Sequence, residues 1–297
     1  MLGTWLIKWG CSSAAKRRNR NFTGKGVCLY DITYGPSLAA DVWRPREHRD
    51  SPRPTIFYVH GGGFVAGDKS DFDAYCEHLC AEGYTVINLN YTLAPKAVHP
   101  QPVEEILTAI SFFTEKAELY GVNPNRLVVS GDSAGAFLAL AAGTAIVNRE
   151  YLPHLQDQIS FDRGGLKAMA LFCGAFSLQT ALSSGFPFLR EYISSYAGVK
   201  DVLRYLRSEQ YFRADPNNYL TSGFPRTFLA VGSGDYFLEE SKGLAVRMRD
   251  VGAEVSLYVD PDPKARHEFH GYLESPAAKL CSKETFAFLK STVGEST

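Results

Sequence analysis

Along the chain, short and nearly unbroken apolar runs alternate with segments whose apolar residues recur every three or four positions. That alternation predicts a mostly parallel sheet with helices laid on its faces. Two opening runs, 27–34 and 38–43, flank the turn Gly35-Pro36-Ser37 and predict an antiparallel pair. Further strands are predicted at 55–59, 84–91, 127–130, 166–173, 227–231 and 254–259, several of them apolar throughout, as strands buried on both faces must be. Helices are predicted over 71–82, 239–251 and 278–293. Another begins at Val103, where Val103, Ile106, Leu107, Ile110 and Phe113 share one face. No repeat and no low-complexity segment interrupts this order.

Composition narrows the picture without changing it. The 297 residues are 45% hydrophobic and 21% charged, as in a globular enzyme with a sizeable core. One domain of 1–297 accommodates this length in an α/β protein. A formal net charge of −1 leaves no electrostatic footprint for nucleic acid. The basic run Lys16-Arg17-Arg18-Asn19-Arg20 reads as a solvated surface. No stretch approaches the roughly 20 continuous apolar residues of a membrane span. The first ten residues, with Lys8 inside them, do not pattern as a signal peptide. Six cysteines are scattered without a C-x-x-C pair, so they are expected to be reduced thiols of a cytoplasmic protein.

The chemistry enters at Gly131-Asp132-Ser133-Ala134-Gly135. An apolar strand leads into it and a run of small and apolar residues leads out, which is the strand–turn–helix context of a G-x-S-x-G nucleophile elbow. Such a turn projects the Ser133 hydroxyl above the strand and aims a helix N-terminus at the anion that forms there. Upstream, His60-Gly61-Gly62-Gly63-Phe64 follows the predicted strand 55–59. Consecutive glycines can present adjacent amides to a developing oxyanion, together with the amide after the nucleophile. The predicted donors are Gly62, Gly63 and Ala134. His60 is expected to support the loop rather than act as an acid or base.

With HGGGF and GDSAG in place, the chain from about Tyr30 onward resembles the hormone-sensitive-lipase-like esterases of the α/β-hydrolase superfamily. Asn90-Tyr91-Thr92-Leu93-Ala94-Pro95-Lys96 is similar to that family's Y-R-L-A-P-E element, with Thr92 and Lys96 in place of arginine and glutamate. The resemblance implies an α/β-hydrolase fold, a cofactor-independent and metal-free serine carboxylester hydrolase, and small to medium acyl esters as substrates. It also implies a cap built from about 1–25 and an insertion at about 183–218. The insertion is rich in aromatic residues, most of which are expected to pack onto the body beneath. Phe64, beside the glycine loop, is the residue expected to contact substrate.

A triad needs a base and an acid that orients it, in the chain order Ser, Asp or Glu, His. Asp235, in Gly232-Ser233-Gly234-Asp235 at a strand end, fills the acid position, with Glu239 as the lesser candidate. His267 and His270 compete for the base in His267-Glu268-Phe269-His270-Gly271-Tyr272, where the resembled family carries H-G-F. The resemblance implies a short spacing from acid to base, which favours His267 over His270. An amide or formamide hydrolase or a deacetylase uses the same parts, and a small-molecule receptor reuses the fold with a disabled triad. A complete triad favours an enzyme. Beyond an ester substrate no partner is implied, and self-association into a homo-oligomer is left open.

Overall fold

The centre of the molecule is set by strands that have no polar face. In a computed structural model that describes residues 12–23, 27–45 and 52–294, every residue of β3 (Arg53–Val59) and β4 (Thr85–Leu89) is buried. Eight strands form one sheet in the order β1-β2-β4-β3-β5-β6-β7-β8. The others are β1 (Val27–Gly35), β2 (Leu38–Arg44), β5 (Val122–Asp132), β6 (Leu166–Phe172), β7 (Arg226–Gly232) and β8 (Val255–Asp260). β2 runs antiparallel to both β1 and β4, and every later pairing is parallel. The period-2 alternation of a strand divides the core in two. Phe57 and Val59 face a cluster with α3 (Gln101–Glu115), which the short α4 (Ala117–Tyr120) follows, and α5 (Ala134–Val147), while Ile56 and Tyr58 face α2 (Asp73–Ala81) and α11 (Pro276–Val293).

Helix α5 is buried on all sides, from Ala134 to Ile146. An all-apolar helix demands that environment, since it has no face to offer water. α10 (Leu238–Asp250) buries Leu244, Ala245 and Met248, and its first turn carries Glu239. A helix also runs over 12–18 (α1), within the N-terminal part of the predicted cap; residues 1–11 and 24–26 lie outside the described residues.

The basic run of α1 departs from expectation. Arg18 is buried, its guanidinium 4.1 Å over the Phe72 ring and paired with Glu268. The run is therefore not a uniformly solvated face. Between β6 and β7 lie α6 (Leu178–Ala181), α7 (Leu189–Ala197), α8 (Val202–Tyr205) and α9 (Glu209–Ala214). Tyr192, Tyr196, Tyr205 and Tyr211 of this segment are buried, while Phe188, Leu203 and Phe212 are exposed. Among the described residues no helix is long and apolar enough to cross a membrane.

Thr92 and Lys96 replace two residues of a familiar element, and the structure shows what stands in their place. The Thr92 amide donates to Glu105 Oε2 at 2.6 Å and the Gln101 side chain donates to Glu105 Oε1 at 2.9 Å. A backbone donor and a neutral amide thus satisfy the buried Glu105 carboxylate.

Candidate active site

β3 is flanked by β4 on one side and β5 on the other, so the chain changes winding direction between β3 and β5. Crevices in such sheets open at the carboxyl ends of the strands, where the winding reverses. The glycine loop follows β3, and Ser133 follows β5 at that crevice. The neighbouring carboxyl ends add Asp235 after β7 and His267 after β8.

Ser133 adopts φ 53°, ψ −120°, a sharp turn that an L-residue enters only under strain. Its amide donates to Phe172 O at 2.9 Å, which anchors the turn to β6. Gly135 cannot carry a side chain, because a Cβ there would stand 2.1 Å from Val59 O. Ser133 Oγ lies 2.8 Å from His267 Nε2. The other ring nitrogen, Nδ1, is 3.1 Å from Asp235 Oδ2 and 3.3 Å from Oδ1. Asp235 is itself held, since its Oδ1 accepts the Phe237 amide at 2.8 Å. Burial lowers the His267 pKa, but the Asp235 charge and hydrogen bond, with the Glu268 charge, outweigh it and raise the group above the ordinary imidazole value. The structure thus brings Ser133, His267 and Asp235 into one hydrogen-bonded relay.

His270 is not part of that relay. It is buried, stacked on Phe172 at 4.2 Å, with Nε2 3.3 Å from the Tyr58 hydroxyl. Glu239 is likewise elsewhere, paired with Lys242 at 2.8 Å. His60 is buried, stacked on Tyr91 at 4.6 Å, and its Nδ1 donates to Gly61 O at 2.7 Å. It braces the loop through that bond.

Gly62 holds φ 110°, and a Cβ there would meet Ala66 O at 2.1 Å, so the loop can close only with glycine. Among the described residues, the amides of Gly62, Gly63 and Ala134 donate to no protein acceptor. Ala134 begins α5, so its amide belongs to the unpaired first turn of that helix.

The cleft over Ser133 has a volume of about 150 Å³. Phe186 and Tyr192 form one wall; Arg18, Asp71 and Glu268 line another. The Phe186 ring stands edge-on to the His267 ring at 5.0 Å. Phe64 does not line this space and its expected substrate contact is corrected. It is buried, stacked on Tyr196 at 4.1 Å and edge-on to Phe137 at 5.8 Å. Phe186 and Tyr192 of the insertion line the cleft instead, the Tyr192 ring 2.9 Å from where a Gly63 Cβ would be. Only their place among the insertion's aromatics hinted at them.

One group of donors among the described residues is close enough to share a cation. Atoms of Cys173, Asp235 and His267 lie within 4.8 Å of one another. Two of these are already hydrogen-bonded together, and burial pushes the Cys173 thiol well up, with the Asp235 charge adding to it. That donor set suits a hydrogen-bond relay better than a metal cage.

Comparison with known proteins follows the same line. Esterase B from Lactobacillus Rhamnosis (HN001) superposes with a TM-score of 0.79 at 18% identity, covering 98% of this chain and 96% of that one. An esterase from Rhizomucor miehei does so with a TM-score of 0.79 at 22% identity, covering 99% and 92%. These likenesses define the architecture, the α/β-hydrolase fold. The acetyl esterase of Salmonella paratyphi B is 32% identical over 228 residues, 73% of this chain and 64% of that protein. That of Salmonella choleraesuis is 32% identical over 208 residues, 65% and 59%. The chain thus spans less than two thirds of these relatives. A family model described as alpha/beta hydrolase fold matches residues 56–271, and the chain belongs to this hormone-sensitive-lipase-like family of α/β-hydrolases.

Proposed function

We propose that the protein is a serine carboxylester hydrolase acting on short acyl esters, acetyl esters foremost. The observation that carries this reading is the 2.8 Å contact between Ser133 Oγ and His267 Nε2, with Asp235 on the opposite ring nitrogen. His267 takes the Ser133 proton as Oγ attacks the acyl carbon. The charge that moves onto the carbonyl oxygen meets the amides of Gly62, Gly63 and Ala134, fixed donors that need no reorganisation. As the C–O bond breaks, His267 returns the proton to the departing alcohol. Water, activated by the same imidazole, then releases the acid and restores Ser133.

The small volume of the cleft, about 150 Å³, and the acetyl esterases among the relatives support a small acyl group. An assembled relay supports an enzyme over a ligand receptor. Five free cysteines among the described residues, four of them buried, support a reducing compartment, the cytoplasm. The test is p-nitrophenyl acetate hydrolysis with a fluorophosphonate probe. Wild type should turn over and label. Ser133→Ala should do neither, with a loss of roughly 10⁴-fold or more. Undiminished turnover in Ser133→Ala refutes the reading.

A further inference from the structure

Beside the relay lies a second set of charges that the proposed reaction does not consume. Glu268 follows His267 directly, where the resembled H-G-F element has glycine, and its backbone sits at φ 59° in the left-handed region. A non-glycine residue persists there only when its surroundings over-determine it. Those surroundings are specific. The buried Arg18 guanidinium pairs with the Glu268 carboxylate, across 250 positions of sequence. The Glu268 amide also donates to Cys173 Sγ at 3.4 Å.

Behind Glu268 lies Asp132, fully buried between the nucleophile and the glycine loop. Its Oδ1 accepts two donors, the Tyr58 hydroxyl at 2.9 Å and the Gly61 amide at 3.2 Å. Its Oδ2 is buried and meets no donor. Among the described residues, the Glu268 carboxyl, itself an acceptor, is the side chain whose charge and hydrogen bonding raise Asp132. Two acceptors bond only if one of them carries a proton. Oδ1 already accepts two donors and Glu268 is already paired with Arg18, which leaves the buried Asp132 Oδ2 as the oxygen best placed to carry a shared proton.

We propose that Glu268, kept anionic by Arg18 and bonded to a protonated Asp132, is a positioning residue that sets the basicity of His267 and ties α1 to the glycine loop. Burial, then the Glu268 charge, push Asp132 up. Although burial opposes it, the Arg18 charge, then that of His267, hold Glu268 down. The groups facing His267 are Asp235 after β7, the neutral Cys173 thiol after β6, Arg18 from α1, Glu268 and neutral His270, with Asp132 acting only through Glu268. Asp71, whose carbonyl accepts Arg18 Nε at 3.3 Å, and Tyr272 complete the surroundings of Arg18. Glu268 and Arg18 act on His267 with opposite signs, so they balance only as a pair.

This inference rests on the esterase reading for its effect on turnover, but not for its test. The His267 imidazole is titrated by NMR in wild type, Glu268→Gln, Asp132→Asn and the double variant Glu268→Gln/Arg18→Met. The acid limb of kcat/KM on p-nitrophenyl acetate is recorded in parallel. Glu268→Gln removes the carboxylate paired with Arg18 and should move the His267 titration to lower pH by roughly one unit, the acid limb with it. Removing Arg18 as well should bring it most of the way back. Asp132→Asn replaces a neutral group by a neutral one that still donates to Glu268, so the titration should stay within about 0.3 units. Thermal melts establish that each variant is folded. An unmoved titration in folded Glu268→Gln overturns the proposal, as does an Asp132→Asn shift as large as that of Glu268→Gln. Absence of turnover in wild type would refute the esterase reading alone, and the NMR titrations would still decide this one.

Discussion

His267 and His270 stand three residues apart and share burial and the fields of Glu268 and Arg18, yet only the first has a carboxylate and a hydroxyl on its ring nitrogens. His267 lies between a carboxylate and a hydroxyl at the edge of a cleft. His270 lies in an aromatic box, stacked on Phe172 and Phe72 with Tyr75 edge-on, and its Nδ1 has no partner. The first ring is pushed up in pKa. Burial, against the Glu268 charge, pulls the second down to about 3. The same residue type becomes a proposed base in one place and a neutral packing ring in the other, and the neighbours alone make the difference.

That contrast can be broken at three scales. His267→Ala should reduce kcat on p-nitrophenyl acetate by roughly 10⁴-fold or more, whereas His270→Phe should hold it within about threefold. The reverse pattern would exchange the two assignments. Phe186 flanks His267 from the cleft side, so Phe186→Ala should widen the space for the acyl chain. The kcat/KM ratio of hexanoate to acetate should then rise about tenfold in a p-nitrophenyl panel.

The smallest effect reads the buried ring. His270 stays neutral in the folded protein while the unfolded chain takes up a proton below about pH 6.5. Stability from this group is therefore complete above that pH and declines as pH falls toward 3, by about 1.4 kcal/mol per unit. His270→Phe removes this dependence. Its urea-derived stability should fall less between pH 7 and pH 5 than wild type, by about 2 kcal/mol.

The parts legible in the sequence are those whose cause is local. Glycines around Ser133 and in the loop after β3 announce turns that only glycine permits, and strand alternation announces the sheet. Boundaries slipped where a side chain extended an element. The helix predicted over 71–82 is a 3₁₀ turn at Lys69–Phe72, with Asp68 capping its first amides, followed by α2. What the sequence hid depends on distant partners. Phe64 faces inward because Tyr196, 132 positions later, stacks on it. Arg18 is buried because its counter-ion arrives from the far end of the chain, and no window of sequence contains both.

The strained backbone of Ser133 has a further consequence. Its φ of 53° with ψ near −120° is a conformation that glycine enters freely. The fold therefore holds backbone strain at the very residue proposed to react. Ser133→Gly should be inert, yet should resist urea better than wild type by about 1 kcal/mol.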